Sequence, residues 1–151
     1  MTVDKARLIV CERSGRWAVA LRRELAEAGV RVWETRSLPE CRSLLAESPC
    51  SFVILELTSA VAEELLQYMT RLERDFPRTK AAVVAARGLA EHQWLMRESG
   101  AVHFTCSPRR LAPLAETACR HLAQAPVAQQ SLVERIWASL PWKDQRITQS
   151  Q

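Results

Sequence analysis

The sequence predicts an α/β fold in which five parallel strands alternate with five helices. Five short apolar runs recur along the 151 residues, and each is followed by a segment with apolar residues at helical spacing. The loops between these segments are short and contain Gly, Pro and Ser. Such an alternation favours a doubly wound parallel sheet with right-handed crossovers.

The first strand and helix follow one another directly. Residues 6–11 (ARLIVC) are apolar and partly β-branched, and a polar loop with a glycine follows them. From Trp17 onward apolar residues recur at helical spacing up to Gly29, which suits the position just after a helix. We therefore predict a strand at 6–11 and a helix at 17–28.

The second strand and helix are marked by alternation and by a cap. Residues 30–35 (VRVWET) alternate apolar and polar side chains, as in a half-buried strand. Ser37 and Glu40 have the spacing of a capping box around Pro39. The second helix is predicted to end near Ala46.

The third strand has the pattern of a strand in the centre of the sheet. Residues 51–57 (SFVILEL) form a continuous apolar run with one acid near its end, which is typical of a parallel strand covered on both faces. The third helix is predicted at 61–76.

The last two strands and helices follow with equally short connections. We predict strands at 81–86 and 102–106, and helices at 90–99 and 111–123. Gly100 ends the fourth helix, and a Ser-Pro pair ends the fifth strand.

Composition favours a soluble protein without a membrane segment. The chain is 48% hydrophobic and 25% charged, and its apolar runs are far shorter than the roughly 20 residues of a spanning helix. The start also lacks the apolar region of a signal peptide, so we expect a cytoplasmic protein with reduced thiols. The net charge of +4 is spread among interspersed acids, so direct nucleic-acid binding is not expected.

The sequence divides into a domain at 1–124 and an extension at 125–151. The extension begins with a small polar linker and then carries apolar residues at helical spacing, before a polar tail. This amphipathic helix either packs back on the domain or docks in a groove of another protein. Its candidate partner-binding residues are Leu132, Ile136, Trp137, Leu140 and Trp142.

Two segments resemble a known family. FVILEL at 52–57 resembles the strand that ends in the phosphoacceptor of bacterial response-regulator receiver domains, and GAVHFTCSP at 100–108 resembles their fifth strand and Lys-Pro pair. The resemblance covers about residues 6–123. It implies a flavodoxin-like sheet with strand order 2-1-3-4-5, whose functional crevice lies beyond the carboxyl ends of the strands.

The same resemblance implies a degenerate phosphoacceptor pocket. Glu56 stands where the family has its phosphoacceptor aspartate, and Cys11 and Glu12 replace the two metal-binding acids. Ala85 replaces the hydroxyl residue at the end of strand four, and Ser107 replaces the lysine before the proline. The aromatic switch position and the proline are kept as Phe104 and Pro108.

We therefore predict a pseudo-receiver that lacks phosphoryl chemistry, because an aspartyl phosphate needs Mg²⁺ on oxygen ligands, a short carboxylate and a cation. Glu56 either imitates a permanent phosphoryl group or is a solvated carboxylate. We expect no enzyme activity, no cofactor and no resident metal.

The interpretation that follows is a protein-interaction module in a regulatory pathway. A protein partner or a second copy would bind the face of helix four, strand five and helix five, with the C-terminal helix as docking element or dimer arm. The alternative is an atypical receiver in which Glu12 and Glu56 hold a cation or sense a phosphoryl group.

Two further expectations concern cysteine and tryptophan. Cys11 and Cys106 are expected to end neighbouring elements at the crevice. A redox-sensing thiol is one interpretation, and buried cysteines that act as small hydrophobes are the favoured one. Trp17 and Trp94 could anchor a partner. Their helical spacing with leucines favours core packing for both.

Overall fold

In the computed structural model, which describes residues 5–125, a five-stranded parallel sheet has helices on both faces. The strands are β1 (Leu8–Cys11), β2 (Val32–Thr35), β3 (Phe52–Leu57), β4 (Lys80–Ala85) and β5 (Ala101–Thr105). The helices are α1 (Arg16–Glu24), α2 (Leu38–Glu47), α3 (Ala62–Asp75), α4 (Gln93–Glu98) and α5 (Ala112–Gln124). The strand order β2-β1-β3-β4-β5 confirms the predicted topology. The predicted C-terminal helix lies outside the described residues.

The central strands are buried because helices cover both faces of the sheet. Every residue of β1 is buried, and β3 is buried except for a half-buried Glu56. Alternate residues of β3 enter different cores: Phe52 and Ile54 pack in the cluster with α1 and α5, while Val53 and Leu55 pack in the cluster with α2 and α3. Successive side chains of a strand point to opposite faces of the sheet, and this alternation determines which core each residue of β3 enters.

The start of α2 is capped largely as predicted. Ser37 Oγ accepts a hydrogen bond from the Glu40 main-chain N–H at 3.3 Å. Glu40 Oε2 accepts from the N–H of Arg36 at 2.6 Å, one residue before the position that a capping box uses. The cap therefore holds the connection between β2 and α2 as well as the helix.

Two helices differ from their predicted bounds by more than one residue at an end. α1 ends at Glu24, because the next N–H groups bond three residues back, Ala28 to the Leu25 carbonyl at 3.0 Å, and tighten the chain into a turn. The predicted fourth helix is divided into a 3₁₀ segment, Arg87–His92, and the six-residue α4. Apolar spacing located both helices but does not distinguish a three-residue from a four-residue hydrogen-bond ladder.

The outer strand β5 contains an irregularity. Ala81 is opposite Ala101, but Ala82 is opposite His103, so Val102 is an extra residue on β5. Such bulges are common at sheet edges, where they bend the strand and discourage pairing with another chain. Val102 is 40% exposed.

Within residues 5–125, no helix has both the length and the apolar character needed to cross a bilayer.

Candidate functional site

A cavity of about 220 Å³ lies at the carboxyl ends of β1 and β3. Its walls are residues 11–13, residues 36–39 at the start of α2, and residues of β3 and α3 between Glu56 and Leu65. Of the seven predicted pocket residues, the structure brings Cys11, Glu12 and Glu56 to this cavity. The cavity therefore contains three of the residues predicted for the pocket.

The other four predicted residues do not line the cavity. Ala85 is the fully buried last residue of β4, and Phe104 is buried in β5. Ser107 and Pro108 are half-buried in the loop after β5, where the Ser107 N–H donates to Thr105 Oγ1 at 3.2 Å. The predicted pocket is therefore divided between the carboxyl ends of β1 and β3 and those of β4 and β5.

Glu12 caps the amino terminus of α1. Its side chain is buried, with Oε1 accepting from the Trp17 N–H at 2.9 Å and Oε2 from the Ala18 N–H at 2.7 Å. Gly15, at the cap position with φ of 80°, has no side chain for this role. The carboxylate satisfies donors that a helix start leaves unpaired, and its charge is favourable there. Both of its oxygens are thus used by α1.

Glu56 presents a different environment. It lies one residue before the end of β3, opposite Val84, and it is half-buried at the cavity wall. Within residues 5–125 its carboxylate makes no hydrogen bond and no ion pair. Its negative charge raises the pKa of the nearby Cys11 thiol, although other influences on that thiol are larger. Glu56 and the exposed Glu64 of α3 are the cavity-lining acids whose carboxylates have no partner among the described residues, so both are available to a ligand or to solvent.

Arg36 holds the loop after β1 against β2. Its Nη1 donates to the Glu12 main-chain carbonyl at 3.2 Å, and its Nη2 lies 3.4 Å from Glu34 Oε1. Glu34 also pairs with Arg22 at 2.7 Å. Sequence reasoning missed Arg36, although its place directly after β2, the strand beside β1, is a signal that could have identified it.

A cluster of thiol and hydroxyl groups lies beside the cavity. Cys11 and Cys41 of α2 belong to the same buried cluster, and the interaction of their thiols, together with Thr35, lowers the Cys11 pKa despite burial. The pKa values of Cys41 and Tyr68 are raised, the first mainly by this partner and the second mainly by burial. The Tyr68 hydroxyl is close to Cys41 but has no well-aligned hydrogen bond in the described chain.

The expectation that Cys11 and Cys106 end neighbouring elements is wrong. Their strands, β1 and β5, are separated by β3 and β4, so the two residues lie at different parts of the sheet edge. The neighbour of Cys11 is Cys41, which the sequence analysis did not identify. Cys41 is four residues after the Ser37 cap, and this spacing is the signal that would have placed it one turn into α2.

Apolar side chains are exposed on α4 and β5. Trp94 is 71% exposed, so its predicted core packing is wrong, whereas Trp17 is buried as expected. Leu95 and Val102 are also exposed, at 39% and 40%. We call Trp94, Leu95 and Val102 the α4–β5 patch. The short α4 buries Met96 alone, which leaves its other large apolar side chains at the surface.

Comparison with known proteins identifies the class of fold. No protein-family model and no curated protein matches the chain. Among solved structures, a response regulator from Thermotoga maritima aligns with a TM-score of 0.67 and 23% identity, covering 80% of this chain and 100% of that one. A CheY-like protein from Pseudomonas aeruginosa aligns with a TM-score of 0.64 and 17% identity, covering 77% and 98%.

A third match carries the same fold. An orphan response regulator of H. pylori aligns with a TM-score of 0.60 and 18% identity, covering 78% of this chain and 96% of that one. With the strand order β2-β1-β3-β4-β5, these likenesses show a flavodoxin-like sheet. More particularly, the fold is the CheY-like fold of response-regulator receiver domains, as the sequence resemblance implied.

Proposed function

We propose that this chain is a pseudo-receiver, a cytoplasmic signalling module that does not accept a phosphoryl group and acts by binding another protein. One observation carries the first part of the proposal: both oxygens of Glu12 accept main-chain hydrogen bonds from α1. In a receiver that is phosphorylated, an acid at this position would help hold Mg²⁺. Here the acid stabilises the fold instead.

The chemistry around the cavity supports the same conclusion. Phosphoryl transfer to a carboxylate depends on a divalent cation and on groups that take up the charge of the transferred phosphoryl. Residues 5–125 contain no group of three His, Cys, Asp or Glu arranged to hold a metal ion. Ala85 lacks the hydroxyl expected at its position, and Ser107 lacks the cationic charge expected at its own. The same geometry weighs against the alternative of cation sensing by Glu12 and Glu56.

The second part of the proposal, binding of a protein partner or a second copy, is supported by the α4–β5 patch. Monomer surfaces expose single apolar residues routinely, but an exposed tryptophan on an element that packs against another with an exposed aliphatic side chain is a typical interface anchor. Two of the three elements in the predicted interaction face, helix four and strand five, supply this patch. The C-terminal helix around Trp137 remains a proposed docking element.

A phosphorylation assay tests the first part of the proposal. The full chain is incubated with a small phosphodonor such as acetyl phosphate and with Mg²⁺, and its intact mass is followed over time. A receiver domain with both acids and the lysine in place serves as positive control. We expect the control to gain one phosphoryl group and this chain to gain none. A phosphoryl group on this chain that Glu56→Gln abolishes would refute the proposal.

A further inference from the structure

We propose that Cys11 and Cys41 form a redox-active dithiol, which a peroxide converts into an intramolecular disulfide between β1 and α2. The proposal goes beyond the pseudo-receiver function. It uses the two thiols at the cavity, and it does not depend on whether Glu56 accepts a phosphoryl group or on what binds the α4–β5 patch.

The fold brings the two thiols together from different elements. Cys11 is the last residue of β1, and by strand alternation it faces α2 and α3 with Ile9. Cys41 is fully buried in the same cluster, in the first turns of α2. Its N–H donates to the Ser37 carbonyl at 3.1 Å, so the capped start of α2 fixes its position. The two thiols are therefore brought together by the tertiary structure.

Cys11 is accessible to a small oxidant although it is nearly buried. It is 8% exposed, and it lines the cavity at the carboxyl ends of β1 and β3. Cys41 does not line that cavity, so an incoming peroxide meets Cys11 first. The cavity volume of about 220 Å³ is ample for a peroxide molecule.

The oxidation proceeds in two balanced steps. The Cys11 thiolate attacks one peroxide oxygen, so that an S–O bond forms, the O–O bond breaks and hydroxide leaves. Cys41 then loses its proton and attacks the sulfur of Cys11. The S–S bond forms, and the oxygen bound to the Cys11 sulfur leaves and takes up a proton to become water. Two thiols have lost two electrons and two protons, and hydrogen peroxide has been reduced to two waters.

The electrostatics of the cluster support these roles. The thiol of Cys41 lowers the pKa of Cys11, and the Cys11 charge is one cause of the raised pKa of Cys41. That charge disappears when Cys11 is oxidised, so the penalty on deprotonating Cys41 falls at the step that needs it. The Glu40 and Glu56 carboxylates oppose thiolate formation at Cys11 more weakly.

The other cysteines provide an internal comparison. Cys50, Cys106 and Cys119 are also free thiols, and each is more exposed than Cys11. Burial raises the pKa of Cys106, which makes it a weaker nucleophile at neutral pH. If exposure alone governed oxidation, these three would react before Cys11 does.

A non-reducing peptide map tests the proposal on the full chain. The protein is treated with a few equivalents of hydrogen peroxide, its remaining thiols are alkylated, and it is digested with trypsin. Cys11 and Cys41 fall on separate short peptides, 8–13 (LIVCER) and 37–42 (SLPECR). We expect mass spectrometry to find these two peptides joined, and dithiothreitol to separate them.

Two variants complete the experiment. Cys41→Ser should abolish the linked peptide and leave a sulfenic acid on Cys11 that dimedone traps, whereas Cys119→Ser should form the link as the wild type does. The proposal is overturned if the wild type yields no such link, or if its disulfides join Cys50, Cys106 or Cys119 instead. The wild-type map decides this even if a variant fails to fold.

Discussion

The main-chain N–H of Ala18 donates to Glu12 Oε2 at 2.7 Å, so a buried carboxylate six residues earlier caps α1. The family resemblance places a cation-binding acid at the position of Glu12. In this chain the acid has become part of the support of a helix whose own cap residue, Gly15, has no side chain. A position that the resemblance associates with cation binding thus contributes to the stability of the fold. Replacing this acid should therefore destabilise the domain.

Replacing Glu12 should destabilise the domain. Glu12→Ala removes two charge-assisted hydrogen bonds and leaves the Trp17 and Ala18 N–H groups unpaired, which should lower the free energy of unfolding by about 2 kcal/mol. Urea unfolding followed by circular dichroism measures this loss. Glu27→Ala, at an exposed position in the turn after α1, is the matched control and should change little. Equal effects of the two substitutions would contradict the capping role.

The topology could be predicted because it depends on periodic apolar patterns. The run at 51–57 and the alternation at 30–35 each correspond to an observed strand, β3 and β2, and short loops leave few ways to connect parallel strands. The largest errors concern two helices: α1 ends four residues early, and the predicted fourth helix is divided into a 3₁₀ segment and α4. Residues 25–28 carry helical spacing but form a tight turn, which depends on backbone hydrogen bonds that side-chain pattern does not encode.

The site was less predictable because it depends on side-chain direction. Alternation along β1 places Glu12 on the face of Leu8 and Val10, the face that α1 covers, and this could have predicted the cap. The exposure of Trp94 depends on how much of α4 is helical, and the pairing of Cys11 with Cys41 depends on how α2 crosses β1. The spacing of residues along the sequence predicts neither the exposure of Trp94 nor the pairing of the two cysteines.

Removal of the hydroxyl groups of Tyr68 and Thr35 should affect the stability of the domain in opposite directions. Tyr68→Phe deletes a buried hydroxyl without a well-aligned partner, so stability should stay unchanged or rise by up to about 1 kcal/mol. Thr35→Val is the matched control, because Thr35 Oγ1 donates to the Val10 carbonyl at 3.2 Å. Its loss should cost about 1 kcal/mol in urea unfolding. Destabilisation by Tyr68→Phe as large as that of Thr35→Val would show that the Tyr68 hydroxyl is well bonded.

The ion pair between Arg42 of α2 and Asp75 of α3 should give a weak pH dependence. Arg42 Nη2 lies 2.9 Å from Asp75 Oδ2, and Arg42 and Arg74 lower the Asp75 pKa. Because the folded-state pKa is below the unfolded one, the stabilisation is present above the unfolded pKa. It is lost as the pH falls through the folded pKa. Solvent screening keeps the contribution small.

Carboxyl chemical shifts measured by NMR across this acidic range test the ion pair directly. In Arg42→Gln the Asp75 pKa should rise toward its usual value, and acid unfolding should depend less on this carboxyl. Arg71→Gln, an exposed α3 position without a described partner, should leave the Asp75 titration where it is. A titration unchanged in Arg42→Gln would mean that the contact does not persist in solution.

Trp94 should matter for binding and not for stability. With 71% of the residue exposed, Trp94→Ser removes little buried area and should leave the urea midpoint nearly unchanged. If the α4–β5 patch is an interface, the same substitution should weaken binding about 30-fold, as expected for an anchor worth about 2 kcal/mol. Val19→Ser, at an apolar position of α1 that is 50% exposed, is the control and should leave binding intact.

Two measurements on the full chain detect the two kinds of occupant for the α4–β5 patch. Sedimentation velocity detects binding of a second copy, and a quantitative pull-down from lysate of the native organism detects a different protein. Both are performed with the wild type, with Trp94→Ser and with a chain cut after Gln124. Loss of association in Trp94→Ser alone places the interface on α4 and β5. Loss only on truncation places it on the C-terminal segment and leaves the exposed tryptophan without this role, because a residue that anchors an interface cannot be removed without weakening it.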